Sequence, residues 1–427
     1  MSRVRGVKAL VHNAVDRTVD LVGSGHEATS RAVMRVLNHA GPLAEPARQV
    51  DGLRRELTSG VLQTIKGVNH LVEGLTDAGL DVLAPEGTPA PTVLPLRADV
   101  IGTAAWVGDA ALGMVNGVVG DFLVERQNGL DLGMAVRGLD DWIQEDGSGI
   151  PADASPRIVL LVHGLATTEW SWCMDADKYL GNAGANFGTL LKEDLGYTPL
   201  YLRYNSGRHI SENGRALAQR LERLLGQWPV AVEELLLLGH SMGGLVLRSA
   251  CHIAQEEGLS WVKKVRRVVC LASPLQGAAL EKFGNLAGAV LSAVDHPATA
   301  VIGELIQGRS AGIKDLRYGY VQDAEWAGAD PDAVAEDRRR DSSLPPHISW
   351  CFISATLSTS PDHPVGAALG DLLVRVESAS GPRDAPPRRV IHHVGGVSHA
   401  AIQVQPEVYA TLYDFLTTED SVSEECS

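Results

Sequence analysis

A single pentapeptide, residues 239–243 (Gly-His-Ser-Met-Gly), places the strongest constraint on how this chain can fold. It directly follows the apolar run Leu235–Leu238 and directly precedes an amphipathic stretch. An apolar run without polar alternation is typical of a central parallel strand that is buried on both faces. A Gly-x-Ser-x-Gly sequence between a strand and a helix predicts a sharp turn that strains the serine backbone and projects the Ser241 hydroxyl above the sheet.

The chain after residue 129 repeats this alternation of short apolar runs and helical patterns. Strands alternating with helices indicate the α/β class, with a mostly parallel sheet flanked by helices. The predicted strands cover residues 157–163, 200–204, 235–238, 268–271, 350–353 and 390–394, and the clearest helical patterns cover residues 210–225 and 244–255.

A serine hydroxyl is a weak nucleophile and needs a neighbouring base. His399 follows the last predicted strand, 390–394, and is therefore the candidate base. His392 and His393 lie within that strand and are interpreted as structural histidines. His240 is carried by the turn itself, so we expect it to pack beside the site.

The base needs a carboxylate that fixes its tautomer and stabilises its charged form. Asp371, within Gly-Asp-Leu-Leu-Val (370–374), follows the predicted strand 350–353 and is the first candidate. Asp362 is the second candidate, and Glu377 and Asp384 remain open alternatives.

An oxyanion that forms during acyl transfer needs two backbone N–H donors. The amide of Met242, which follows the candidate nucleophile at a helix N-terminus, is the first expected donor. The amide of Leu165, in the His163-Gly-Leu segment after the first predicted strand, is the second. Trp170 and Trp172 follow in the same loop, where they either wall an acyl pocket or pack into the core.

Composition excludes several other classes of protein. The chain carries a formal net charge of −15, which would repel a nucleic acid, so we expect no nucleic-acid partner. Its five cysteines are widely separated and form no Cys-x-x-Cys pair, and no cluster has metal-ligand spacing. The glycine-rich segment 113–120 lacks the Lys-Ser/Thr of a phosphate loop. We therefore expect no metal and no cofactor.

The first third of the chain, residues 1–127, is nearly neutral and has helical periodicity, so we predict an N-terminal helical region there. Residues 98–125 are apolar and rich in small residues but include Asp109 and Asn116. We interpret this segment as a buried helix that packs closely through its small residues, and a membrane-embedded or interfacial helix is the alternative. The N-terminus does not resemble a secretory signal, which favours a cytoplasmic location, with membrane association through these helices left open.

We assign residues 128–418 to a catalytic domain. Within it, residues 276–345 interrupt the strand–helix alternation and are predicted to form a helical insertion that acts as a lid or cap. Residues 419–427 form an acidic tail.

Five segments together resemble the α/β-hydrolase superfamily, and within it the lipases and the GPI inositol-deacylase-like group. They are Val-His-Gly-Leu (162–165), Gly-His-Ser-Met-Gly-Gly (239–244), Leu-Ala-Ser-Pro-Leu-Gln-Gly (271–277), Gly-Asp-Leu-Leu-Val (370–374) and Gly-Val-Ser-His (396–399). The resemblance spans roughly residues 157–415. The chain has Ser-Pro-Leu-Gln-Gly at 273–277 where relatives often have Thr-Pro-His-x-Gly, and Asp-Leu-Leu-Val at 371–374 where they often have Asp-Gly-x-Val.

The resemblance assigns Ser241 as nucleophile, His399 as base, Asp371 as acid, and Leu165 and Met242 as oxyanion donors. It implies hydrolysis of carboxylic esters, with a lipid or another small acyl ester as the substrate, through an acyl-enzyme. An acyltransferase or thioesterase that uses the same three side chains is one alternative. A lipid- or membrane-binding protein with a vestigial site is another.

Overall fold

The computed structural model of the protein describes most of the chain after residue 93. The described residues are 94–101, 103–125, 127, 131–278, 310–328, 338–342, 344–356, 358, 371, 374–382 and 386–418. The predicted helices within residues 1–93 and the predicted acidic tail, 419–427, lie outside these ranges.

One sheet of eight strands forms the centre of the described part of the chain. The strands are β1 (Met134–Arg137), β2 (Trp142–Ile143), β3 (Arg157–Val162), β4 (Thr198–Tyr204), β5 (Glu234–His240), β6 (Val265–Leu271), β7 (Ser349–Thr356) and β8 (Arg389–Gly395). Their order across the sheet is β2-β1-β4-β3-β5-β6-β7-β8. The pairs β1–β2 and β1–β4 are antiparallel, and all other neighbours are parallel.

Nine α-helices are described beside these strands. They are α1 (Ala104–Glu125), α2 (Ala176–Leu180), α3 (Phe187–Leu195), α4 (Ile210–Gly226), α5 (Met242–Glu257), α6 (Ala311–Tyr318), α7 (Asp323–Trp326), α8 (Val376–Ala379) and α9 (Pro406–Thr417). Short 3-10 segments cover Ala98–Val100, Glu169–Cys173, Ser260–Lys264 and Ala401–Gln403. All six predicted strands and both predicted helices are present, so the predicted α/β class with a mostly parallel sheet is confirmed.

The central strand β5 is buried on both faces, as its unbroken apolar run predicts. Side chains alternate across a strand, so consecutive leucines point to opposite sides of the sheet. Leu235 and Leu237 belong to the apolar cluster on one side, whereas Leu236 and Leu238 belong to the cluster on the other side. All four side chains are fully buried. Because β5 is packed on both faces, the position of the turn that follows it is fixed relative to the sheet.

Helix α1 packs tightly against loops at the sheet through its glycines. A Cβ atom on Gly113 would lie 2.9 Å from Thr168 Cγ2, and one on Gly117 would lie 2.5 Å from Ala166 Cβ. The carbonyl of Gly120 accepts a hydrogen bond of 2.9 Å from Asn205 Nδ2. The interpretation of this segment as a buried helix packed through small residues is therefore confirmed. Among the described helices, none combines the length and the apolar character that a membrane span requires.

Residues 91–281 and 309–427 form one compact unit, which we call the sheet-bearing unit. This unit includes α1, which lies before residue 128, where the sequence places the start of the catalytic domain. The first strand of the sheet is β1 (Met134–Arg137). The limit at residue 128 stays a prediction.

The predicted insertion at 276–345 is described only in part. Its apolar first half, residues 279–309, lies outside the described ranges, as do 329–337 and 343. The described remainder contains α6 and α7. Within the sheet-bearing unit, α6 packs beside α1, since Ser310 Oγ at its N-cap donates a hydrogen bond of 2.7 Å to the carbonyl of Gly117 on α1.

Candidate active site

Ser241 lies at the sharp turn between β5 and α5. Its backbone angles, φ 53° and ψ −123°, fall in a region that residues with a side chain rarely adopt. The turn is held by two backbone hydrogen bonds, from Ser241 N to Leu271 O (2.9 Å) and from Gly244 N to Ser241 O (3.1 Å). The strained conformation is therefore enforced by the strand and helix on either side of it.

The glycines of the motif are required by close backbone contacts. A Cβ atom on Gly239 would lie 2.6 Å from Gly244 N, and one on Gly243 would lie 2.7 Å from His163 O. Both distances are shorter than any real Cβ contact, so a side chain at either position would push α5 away from the sheet. The pattern of residues 239–243 is thus explained by packing as well as by chemistry.

His399 and Asp371 are brought together from separate loops. His399 Nδ1 lies 2.7 Å from Asp371 Oδ2, and His399 N donates to Asp371 O at 3.4 Å. The second carboxylate oxygen, Oδ1, accepts a hydrogen bond of 2.8 Å from Val374 N. Asp371 is 1% exposed and His399 is 9% exposed. The carboxylate is therefore held on one side by its own loop and on the other by the imidazole.

The loop that carries His399 contacts the residue next to Ser241. His240 Nε2 lies 2.9 Å from His399 O, and the two imidazole rings are 4.8 Å apart between centroids. Burial, followed by the electrostatic effect of His399, lowers the pKa of His240 well below its ordinary value. His240 therefore packs beside the site as a neutral ring, as its place in the turn leads one to expect.

Of the alternative carboxylates, Glu377 is exposed on α8, whereas Asp362 and Asp384 are outside the described residues. Both ring nitrogens of His393 contact hydroxyls of β7: Nδ1 lies 3.1 Å from Ser354 Oγ and Nε2 lies 3.1 Å from Thr356 Oγ1. His393 thus has a structural role in joining two strands.

The two expected oxyanion donors belong to the residues that follow Ser241 and Gly164 in the chain. Met242 is the first residue of α5, so its N–H is one of the helix N-terminal donors that no intrahelical acceptor satisfies. Gly164, which precedes Leu165, is so near Ser241 that a Cβ atom on it would lie 3.0 Å from Ser241 Cβ. Within the described part of the chain, neither N–H has a hydrogen-bond acceptor. Both donors are therefore available to a ligand.

Trp170 and Trp172 pack into the core. Trp172 is fully buried beside Phe187, with ring centroids 6.4 Å apart. Trp170 is 3% exposed, and its Nε1 donates a hydrogen bond of 3.0 Å to Asp109 Oδ2. Of the two roles left open for these side chains, core packing is the one that the structure supports.

A buried ionic network that sequence reasoning missed joins α1 to the sheet. Arg203 on β4 donates to Asp109 Oδ2 (2.6 Å) and to Glu169 Oε2 (2.7 Å), and Arg137 Nη1 lies 3.6 Å from Glu169 Oε1. Glu169 is fully buried. The sequence signal was a charged residue within an otherwise apolar segment, such as Asp109 within residues 98–125, because a buried charge needs a partner.

The stability of the protein is expected to decrease in acid because of two buried histidines. Burial lowers the pKa of His163 from 6.5 to about 3 and also lowers that of His240. At these two histidines, protons therefore bind the unfolded chain more readily than the folded chain. The contribution of the two neutral histidines to the free energy of unfolding is fully present above about pH 6.5. It falls as the pH drops toward 3, by up to about 1.4 kcal/mol per pH unit for each histidine. Urea unfolding at a series of pH values measures this slope.

The matched variants separate these histidines from other groups that titrate in acid. His163→Gln is expected to lower the slope between pH 6 and 4, whereas His347→Gln, at an exposed histidine, is expected to leave it unchanged. An identical slope in the His163→Gln variant would show that His163 does not carry this dependence.

Residues 155–293 match the family model described as the PGAP1-like alpha/beta domain. No curated protein matches the chain significantly.

Several solved structures are similar at low identity. The mature lipase BlEst2 of Bacillus licheniformis is 15% identical, with 64% of this chain and 97% of that chain covered and a TM-score of 0.42. The esterase Pf2001 of Pyrococcus furiosus is 16% identical, with coverages of 66% and 87% and a TM-score of 0.35. The phospholipase PlaB of Legionella pneumophila is 15% identical, with coverages of 62% and 57% and a TM-score of 0.38. The order and directions of the eight strands, together with the matching family model, give this chain the α/β-hydrolase fold, and residues 155–293 are similar to the PGAP1-like alpha/beta domain.

Proposed function

We propose that the chain hydrolyses carboxylic esters, with Ser241 as nucleophile, His399 as general base and Asp371 as the carboxylate that orients the base. The observation that carries the proposal is the strained Ser241 at the N-terminus of α5, next to a buried His399–Asp371 pair with a 2.7 Å contact. Strain at this position is costly unless the surrounding structure enforces it, and such strain is concentrated at functional sites.

The His399–Asp371 contact determines which ring nitrogen acts as base. The carboxylate accepts a hydrogen bond from the Nδ1–H of His399, so the lone pair of the neutral imidazole is on Nε2. Nε2 would take the proton of the Ser241 hydroxyl as Ser241 Oγ attacks the ester carbonyl. Asp371 then stabilises the imidazolium that results.

The negative charge that develops on the carbonyl oxygen requires donors that are already in place. The N–H groups of Met242 and Leu165 have no acceptor in the described part of the chain, so they need not break a hydrogen bond to bind an oxyanion. The partial positive charge at the N-terminus of α5 adds to this stabilisation.

The reaction would then proceed through an acyl-enzyme. The tetrahedral intermediate collapses, the alcohol leaves with the proton from His399 Nε2, and the acyl group stays on Ser241 Oγ. In the second half, His399 takes a proton from water as the water oxygen attacks the acyl carbonyl. The second tetrahedral intermediate collapses, the Ser241 Oγ–acyl bond breaks, His399 Nε2 returns the proton to Ser241 Oγ, and the carboxylic acid is released. No step needs a metal or a cofactor.

We propose lipid or acyl esters as the substrate class. The match of residues 155–293 to the PGAP1-like alpha/beta domain supports this class. The position of α6 supports a lid-like role for the 276–345 insertion, since a Cβ atom on Gly312 would lie 3.2 Å from Met242 Cε, beside the nucleophile.

Hydrolysis of a series of p-nitrophenyl acyl esters of increasing chain length tests the proposal. We expect turnover with an optimum at one chain length, set by the size of the acyl site. Addition of an alcohol acceptor separates hydrolysis from acyl transfer, because a transferase would give the new ester as its main product. Absence of turnover, together with absence of reaction with a serine-directed fluorophosphonate, would contradict the proposal.

A further inference from the structure

The oxyanion loop, residues 163–168, is held from outside by groups that do not touch the reacting atoms. The carbonyl of Gly164 accepts hydrogen bonds from His163 Nδ1 (2.8 Å) and from Thr167 Oγ1 (3.0 Å). A peptide group is planar and trans, so its C=O and N–H point in opposite directions. The two donors to Gly164 O therefore also fix the direction in which the Leu165 N–H points.

The proton of His163 is assigned to Nδ1 by its surroundings. Its Nε2 faces the N–H of Tyr204 at 3.4 Å, so this nitrogen is the acceptor. The Tyr204 hydroxyl donates to His163 O at 2.9 Å, and the two rings are stacked with centroids 4.4 Å apart. Thr167 Oγ1 lies 3.3 Å from the same Nδ1. His163 and Thr167 thus form a rigid pair of donors on one side of the loop.

The next residue of the loop is fixed from the other side by helix α1. Ala166 has φ 57°, and its N–H donates a hydrogen bond of 3.0 Å to Ser206 Oγ. Gly117 lies directly against it: a Cβ atom there would be 2.5 Å from Ala166 Cβ and 2.8 Å from Ala166 N. Any side chain at 117 would displace the backbone next to Leu165.

We propose that Thr167 and Gly117 are positioning residues for the oxyanion donor: Thr167 fixes the Gly164–Leu165 peptide plane by its hydroxyl, and Gly117 lets α1 support the loop from behind. The proposal rests on the proposed function, since it assigns to these residues the geometry of the Leu165 N–H. It also gives α1, which precedes the first strand of the sheet, a direct role in the active site.

The test of Thr167 compares three proteins. Thr167→Val keeps the shape and removes the hydroxyl, so the Gly164 carbonyl loses one donor and the Leu165 N–H is less well directed. We expect kcat to fall about 10-fold with KM changed by less than about twofold, since a small misplacement of an oxyanion donor acts on the transition state. Thr167→Ser, which restores the hydroxyl, is expected to recover most of kcat. A purely structural role would lower the melting temperature without this split or this rescue.

The test of Gly117 uses a matched glycine as control. Gly117→Ala is expected to lower kcat at least as much as Thr167→Val, because the added methyl displaces Ala166. Gly226→Ala, at the end of α4, adds the same methyl where no atom lies within 4 Å, and is expected to keep wild-type kcat. If Gly117→Ala fails to fold, the Thr167 variants still decide the question.

The rate of labelling by a fluorophosphonate separates the positioning role of Thr167 from the proposed function itself. If wild type is labelled and Thr167→Val is labelled about 10-fold more slowly, the positioning role is supported, since the phosphoryl oxygen occupies the oxyanion site. If wild type and Thr167→Val react at the same rate and have the same kcat, the positioning role is overturned while the proposed function stands. If wild type is not labelled and has no esterase activity, both are overturned.

Discussion

A Ser241→Ala variant is expected to hydrolyse its best p-nitrophenyl ester about 10⁴- to 10⁶-fold more slowly than wild type, because no acyl-enzyme can form without the serine oxygen. The fold should be retained, since Ser241 makes its holding contacts through its backbone N–H and C=O. The residual rate reports what the oxyanion donors and substrate binding contribute alone. Single-turnover kinetics with wild type and variant at equal concentration measures the difference.

The control for this variant is the same substitution at an exposed serine outside the candidate site. Ser260→Ala removes an exposed hydroxyl that donates to Glu222 Oε1 at 2.7 Å, and it is expected to leave kcat unchanged. Wild-type kcat in Ser241→Ala would contradict the assignment of the nucleophile.

Asp371→Asn is expected to lower kcat by about 10⁴-fold with little change in stability. The new amide oxygen still accepts the Val374 N–H, so the loop can keep its shape. The amide nitrogen, however, presents a donor to His399 Nδ1. This forces the imidazole proton onto Nε2, where the base is needed, and leaves the imidazolium without its counter-charge.

Glu377→Gln is the matched test of the alternative carboxylate. Glu377 is exposed on α8, and its backbone carbonyl accepts a hydrogen bond of 3.2 Å from Gln276 Nε2. We expect the kcat of Glu377→Gln to equal that of wild type. A large loss of activity in Glu377→Gln, together with wild-type activity in Asp371→Asn, would reverse the two assignments.

The strand–turn–helix around Ser241 was predictable because three independent signals agree there. The apolar run of β5 requires burial on both faces, the glycines permit the close approach of α5, and the serine between them completes the Gly-x-Ser-x-Gly pattern of a strand-to-helix turn. Strands β3, β6 and β7 were predictable because each contains a short apolar run. The runs of β4 and β8 also carry polar residues, Arg203 in β4 and His392 and His393 in β8.

The edge of the sheet and the placement of α1 were not predictable from the sequence. Strand β2 has only two residues, Trp142–Ile143, so it has no periodicity to detect. The glycines of α1 indicated close packing, but the surface they pack on is formed by residues about 50 and 85 positions later, such as Ala166 and Asn205. Long-range complementarity of this kind leaves no local pattern in the sequence.

Ser241 is the covalent nucleophile of the proposed mechanism, and mass-spectrometric mapping of the fluorophosphonate adduct tests this assignment. The proposed mechanism predicts one adduct per chain on the peptide that contains Ser241. It also predicts that pre-incubation with the preferred acyl ester slows labelling. An adduct on another residue, or no adduct on a folded wild-type protein, would contradict the mechanism.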